Sequence, residues 1–283
     1  MARSYRTYAH GPLASGIVVR EPCLMTIAST SSVSSTIRAR LIGGPTLQFG
    51  YAGLNIVIDP TFDAPGEYEG GITLRKLVGP AVPAADLGTI DLVLLSHDQH
   101  ADNLDTSGRE LLAGATTVLS TPDAASRIPG VTGLVPWQTT LVGAAEVEAV
   151  PALHGPNGAE EISGPVTGFV LRAPGAPVVY VSGDNASTDI VAEIVERTGP
   201  IDIAVLFAGA ANVGRFGDVD VTLNARTAVI AAQLLGAARV VAVHAEGWDH
   251  FSETPERLAR MFDRAGLADR LTIPTRGKWF EVA

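Results

Sequence analysis

Four apolar runs in this chain stop on a histidine or an aspartate, and that repetition constrains the fold more than any other feature. LVLLS is followed by His97, EVEAVPAL by His154, VVYVSG by Asp184 and VVAV by His244. Short runs rich in Val, Ile and Leu read as strands buried in a sheet. Polar groups at the ends of such strands are gathered along one edge of a rigid scaffold, where loops carry chemistry. The segment VLLSHDQHADNLD (93–105) is the densest: two of the chain's six histidines and three aspartates follow directly on an apolar run.

A single histidine after a strand is usually an ordinary hydrogen-bonded residue, and an aspartate after Ser-Gly an ordinary turn or cap. Recurrence in one structural context points instead to a shared site. Imidazole and carboxylate together suit zinc, manganese or iron better than the oxygen-seeking magnesium and calcium. His97, His100, Asp102, His154, Asp184 and His244 supply enough donors for one or two divalent ions, with Asp184 as the bridge. A bound ion lowers the pKa of water to about 7. The expected reaction is therefore attack by a metal-bound hydroxide on an ester, lactone or phosphoester of a small molecule. Asp102, Asp184 and His250 are the expected catalytic residues, His250 as the proton donor to the leaving group, with Trp248 as an apolar wall.

The remaining sequence sets limits. TIRARLIGG, TLQFG and LNIVIDP alternate around turns and read as a β-meander, and residues 61–90, rich in Gly and Pro, read as a long loop over the site. Helices are expected between the later strands: one with the stripe Ile190, Val191, Ile194 and Val195, one capped by Thr222 and running through Leu235, and one starting at Thr254-Pro255 and ending at Gly266. Antiparallel strands in both halves suggest two sheets packed face to face with helices outside. Residues 1–36, with the Ser/Thr-rich tract ASTSSVSST, read as a flexible leader, and residues 37–283 as a single domain. The formal net charge of −10, without a Lys/Arg cluster, argues against nucleic acid or an anionic membrane as partner and leaves a small-molecule substrate, with a homo-oligomer open. No apolar run is long enough to span a membrane and no secretory signal is visible. Cys23 is the only cysteine, so no intrachain disulfide forms, and a cytoplasmic location is expected. Neither a G-x-S-x-G elbow nor a phosphate-binding Gly-rich motif is present.

The order HDQHADNLD, PALHGP, YVSGDN and VVAVHAEGW, with VIDP upstream, resembles the metallo-β-lactamase superfamily, most closely its hydrolases near the ascorbate-phosphate lactonases and N-acyl-ethanolamine phospholipases. The resemblance covers nearly everything from residue 37 to residue 280. It implies an α+β fold, an αββα sandwich of two mixed β-sheets with helices on the outer faces, and a one- or two-metal site, usually zinc, along one sheet edge. Asp59 of VIDP matches an aspartate that in the family orients a ligand histidine. The chain departs from the family's His-x-His-x-Asp-His by one additional residue. Aligned from the left, His97 and Gln99 take the histidine positions; aligned from the right, His100, Asp102 and Asn103 take the last places. Glutamine is a poor zinc ligand, which favours His100 with His97 retained. Asn103 then stands where the family has histidine, and its amide oxygen would bind an ion weakly or hold a bound water. The ion of Asp102, Asp184 and His244 is accordingly expected to bind less tightly than that of His97, His100 and His154. A metal-binding or ligand-sensing protein with little turnover, or an iron-dependent oxygenase on the same fold, are the alternatives.

Overall fold

The alternation in the first meander becomes a sheet with one buried face. In the computed structural model, which describes residues 36–283 apart from Gly71 and Ala237, the first three strands are β1 (Ile37–Gly43), β2 (Thr46–Tyr51) and β3 (Leu54–Ile58). Ala39, Leu41, Leu47, Phe49, Ile56 and Ile58 point to one side and are buried, whereas Arg38 and Gly50 are exposed, as the two-residue period of a strand requires. A separate hairpin follows, β4 (Gly66–Tyr68) with β5 (Leu74–Lys76). Then come β6 (Leu92–Leu94), β7 (Thr117–Ser120) and β8 (Val131–Gly133).

The second sheet takes β9 (Thr139–Val142), β10 (Ala145–Pro151), β11 (Thr167–Arg172), β12 (Val179–Val181), β13 (Ile203–Phe207), β14 (Arg239–Val243) and β15 (Leu271–Thr272). The last strand, β16 (Trp279–Val282), returns to pair with β1. Each sheet has seven strands, ordered β16-β1-β2-β3-β6-β7-β8 and β15-β14-β13-β12-β11-β10-β9. Both are mixed. The β3-β6-β7-β8 half of one sheet and the β12-β13-β14-β15 half of the other are parallel. The parallel strands are apolar on both faces, as in the fully buried IAVLF of β13, because both faces are covered.

Leu47, Phe49, Phe169, Val205 and Phe207 belong to the core shared by the two sheets. Among the described residues, six α-helices join the strands: α1 (Thr106–Leu112), α2 (Pro122–Arg127), α3 (Glu160–Ser163), α4 (Thr188–Thr198), α5 (Ala225–Leu234) and α6 (Pro255–Arg264). Val191, Ile194, Ala228, Leu258 and Phe262 pack α4, α5 and α6 on the outer face of the second sheet, while Leu112 of α1 packs on that of the first. The expected αββα sandwich is therefore what the chain forms.

The mixed sheets are as expected, and two other expectations need correction. Residues 61–90 are not a plain loop, since β5 is pinned by Leu77 N–H donating to Gly247 C=O at 2.8 Å and by Asp249 N–H donating to Arg75 C=O at 3.1 Å. Thr222 does not cap α5. Asn224 does, accepting from the N–H groups of Arg226 and Thr227 while the Thr227 hydroxyl accepts from Asn224 N–H, a reciprocal cap typically contributing about 1 kcal/mol. The buried Thr222 hydroxyl instead accepts from Ala211 N–H at 2.9 Å. The helix starting at Thr254-Pro255 stands as expected, with Thr254 as its cap. The leader and Cys23 lie outside the described residues, save Thr36.

Candidate metal centre

A parallel strand delivers its carboxyl end to the same edge as its neighbours, and there the polar residues collect. His97 follows β6, Asp184 follows β12, His244 directly follows β14, and His154 follows the last residues of β10. His97 Nε2 lies 2.9 Å from His100 Nδ1, which lies 3.2 Å from His154 Nε2. The tautomers follow from their other contacts. His154 Nδ1 is 2.8 Å from the Val221 carbonyl, so it carries the proton. The Ser96 hydroxyl donates to Asp59 Oδ2 at 2.6 Å and is left to accept from His97 Nδ1 at 2.9 Å. Both Nε2 atoms are therefore bare lone pairs aimed at one point, and the single proton of a neutral His100 can satisfy at most one of them. Such a donor set fits a cation.

A second group adjoins it. Asp102 Oδ2 is 3.2 Å from His244 Nε2 and 2.9 Å from His250 Nε2. Asp184 Oδ1 is 3.5 Å from His244 Nε2, and Asp184 Oδ2 is 3.5 Å from His154 Nδ1. Asp184 Oδ2 and His244 Nδ1 are buried without a hydrogen-bond partner. His97, His100, His154 and Asp184 each offer a ligand atom within 4.8 Å of the others, and so do Asp102, Asp184 and His244. The division matches the sequence reading, and Asp184 belongs to both groups.

The charge states suit this arrangement. Burial, helped by His100 and His154, holds His97 well below the usual histidine range, and burial with His154 lowers His100 to about 4. Both are neutral at neutral pH. Burial would also lower His244, but Asp184 and Asp102 beside it raise it above 6.5. Burial pushes the Asp102 carboxyl up, yet His250 and His244 outweigh it and hold the group well below the ordinary carboxylate range.

This chain matches the family model described as the beta-lactamase superfamily domain over residues 54–245. The chain belongs to that superfamily. Its superfamily relatives include a UPF0173 metal-dependent hydrolase of Pyrococcus furiosus, 27% identical over 181 residues, covering 62% of this chain and 76% of that protein. Another of that description, from Methanosphaerula palustris, is 28% identical over 216 residues, 72% of this chain and 90% of the relative. Among solved structures, the isothiocyanate hydrolase from Delia radicum gut bacteria shares the fold with a TM-score of 0.76 at 22% identity, over 86% of this chain and 98% of that one.

The departures from the superfamily pattern have physical explanations. The additional residue turns Gln99 outward, exposed and against Gly164, while His97 and His100 stay with the donors. Asn103 is buried with its amide nitrogen donating to Asp59 Oδ2 at 3.0 Å and Asp184 Oδ1 at 3.1 Å. That orientation makes it a clasp between two carboxylates and leaves its amide oxygen buried without a hydrogen-bond partner. Asp59 accepts from Ser96 N–H and the Ser96 hydroxyl, both at 2.6 Å, and so reaches His97 through Ser96. Burial pushes the Asp59 carboxyl up to about 7 despite these bonds. Asp59 (φ 36°) and His244 (φ 56°) both sit in the left-handed region just past a strand end, a strain of the order of 1–3 kcal/mol each that collects at functional sites. His244 is held there by its N–H donating to Gly44 C=O at 2.8 Å and by close approach of Gly209, where any Cβ would overlap the His244 carbonyl.

A cavity of about 180 Å³ opens beside the donors, with His100, Asp102, His154 and His250 in its lining. Trp248 is not an exposed wall. It is 3% exposed and packs behind Tyr68 (ring centroids 5.3 Å) and His250 (6.1 Å). Tyr68, Leu74, Arg215 and Phe216 line the cavity instead. Sequence reasoning missed them because they stand on a hairpin and on an irregular segment, where no periodicity marks a face.

Proposed function

We propose that the chain is a metal-dependent hydrolase of a small-molecule ester, lactone or phosphoester, holding two divalent transition ions, with zinc favoured over manganese and iron by the donor set. The observation that carries this reading is Asp184, shared by two donor groups that adjoin one cavity. His97, His100 and His154 would hold one ion and Asp102 and His244 the other, with Asp184 within reach of both groups. Bound ions supply Lewis acidity and a water whose pKa is lowered to about 7. Asp59, through Ser96, fixes the His97 ring so that Nε2 stays bare, and Asn103 keeps Asp184 turned toward both groups. His250, on the cavity wall and 2.9 Å from Asp102 Oδ2, holds a proton that it can pass to a leaving group. The acidic charge balance favours a small molecule over nucleic acid as substrate, and among the described residues no helix is long and apolar enough to cross a membrane.

Purified protein is expected to contain zinc, manganese or iron, and chelation to abolish hydrolysis that added metal restores. Elemental analysis finding none of the three in active protein would refute the proposal.

Acidification is expected to strip the two ions in order. His244 in the metal-free protein is raised above 6.5, so an incoming ion must expel its proton, and falling pH favours the proton. His100, lowered to about 4, stays neutral through the same range. Between about pH 7 and about pH 5 the ion of Asp102, Asp184 and His244 should leave first. Competition with a chromophoric zinc chelator along that range measures this; simultaneous loss of both ions would contradict it.

A further inference from the structure

One stretch of the cavity wall has donors without acceptors. Among the described residues, Arg215 is the one Lys or Arg in the cavity lining. Its Nη1 reaches the Ser163 hydroxyl at 3.5 Å, and among the described residues no carboxylate stands within ion-pair distance of it. Some arginines elsewhere in this acid-rich chain find carboxylates, as Arg127 finds Asp98 and Arg172 finds Glu148, while others such as Arg38 and Arg270 do not. Gln99 stands on the same wall. The additional residue between His97 and His100 turns it out of the donor cluster, and its amide nitrogen comes so close to Gly164 that a Cβ there would overlap it. Gly164 directly follows Ser163, so the Gln99 amide, the Ser163 hydroxyl and the Arg215 guanidinium lie together, and all three residues line the cavity with His100. The Gln99 amide has no hydrogen-bond partner among the described residues.

Two N–H-bearing groups and a hydroxyl, one of them permanently cationic, demand an acceptor with several oxygens. A guanidinium fork matches a carboxylate or a phosphate with two parallel bonds. We infer that Arg215, Ser163 and Gln99 form the subsite for an anionic substituent, a carboxylate or a phosphate, on the substrate. Glu69 also lines the cavity and is not paired with Arg215. It repels the same substituent, so the two charges together fix which way round the substrate lies. The inference rests on this cavity being the substrate cavity of the proposed hydrolase.

Calorimetric titration of the zinc-loaded chain with phenyl phosphate and with benzoate tests it, in the native protein and in Arg215→Ala, Arg215→Lys and Gln99→Ala. Arg215→Ala should weaken binding of at least one probe about tenfold, with partial recovery in Arg215→Lys and a smaller loss in Gln99→Ala. Zinc content should be unchanged in all three. The probe that loses more identifies the oxyanion. A parallel assay compares mono(4-nitrophenyl) succinate with 4-nitrophenyl butyrate; a preference for the charged ester, carried by KM and erased by Arg215→Ala, supports the subsite. Equal affinity of native protein and Arg215→Ala for both probes, or no binding of either by the native protein, would overturn it. Failure of the chain to take up zinc, with Arg215-dependent anion binding retained, would overturn the hydrolase reading and leave the anion subsite standing.

Discussion

Replacing His154 or His244 with alanine is expected to remove hydrolysis and leave a folded chain. His154 stands in a loop after β10, and its loss forfeits one hydrogen bond to the Val221 carbonyl, about 1 kcal/mol of stability. His244 is fully buried, with its ring stacked on Phe207 at 5.2 Å, so alanine there costs more but removes a residue outside the strands. The catalytic loss is larger in both. An ion lost from the site forfeits several kcal/mol of charge stabilisation, and about 4 kcal/mol corresponds to about a thousandfold in rate. Metal analysis should separate the two variants. His154→Ala depletes the three-histidine group, and His244→Ala depletes the group with Asp102. Near-normal turnover in either variant, with circular dichroism unchanged, would contradict the ligand assignment.

The largest stability effect is expected away from the donors, at Asp105. Its Oδ1 accepts from Phe62 N–H and Gly108 N–H, both at 2.8 Å. Its Oδ2 accepts from Asp63 N–H at 2.7 Å and from Lys76 Nζ at 2.8 Å. Both side chains of the ion pair are buried, at 3% and 0% exposure. Asp105→Ala removes the cap of α1, orphans two further N–H groups and leaves the Lys76 charge uncompensated in the interior. A buried pair broken on one side costs about 3–5 kcal/mol. Adding Lys76→Met should recover part of that, because the stranded charge goes with it. Urea unfolding of the single and double variants measures both numbers. A loss below about 1 kcal/mol in Asp105→Ala would show that the pair is not the clamp its geometry indicates. Since β5 carries Lys76 and pairs with residues 247–249, the same variant should also loosen the segment leading to His250.

The donors were legible in the sequence because each follows an apolar run, and a sheet converts that one-dimensional pattern into proximity. The structure brings His97, His100 and His154 together with Asp184, and Asp102 and His244 together with the same Asp184. What stayed hidden depends on distances that only packing sets. Lys76 and Asp105 are separated by 29 positions and neither looks unusual alone. The contacts of Asn103 were hidden as well, because which carboxylates its amide nitrogen meets is set in part by Asp59, 44 positions away. That the sheets are mixed came from the family resemblance, while the direction of each strand was not legible in the residues. A short buried strand such as LVL carries no mark of its direction, and β8 and β15 are too short to show any period.

The donors stand at the ends of sheet strands, while the surrounding cavity is walled by the β4–β5 hairpin, by α3 at Ser163 and by the irregular segment holding Arg215 and Phe216. These are separate inheritances. Exchange or lengthening of a wall segment leaves the ladder hydrogen bonds untouched, so substrate preference can drift in a lineage while the metal cage stays fixed. Two such chains with the same histidines and aspartates would still differ in the molecules they accept, and wall segments grafted from one onto the other should carry that preference with them.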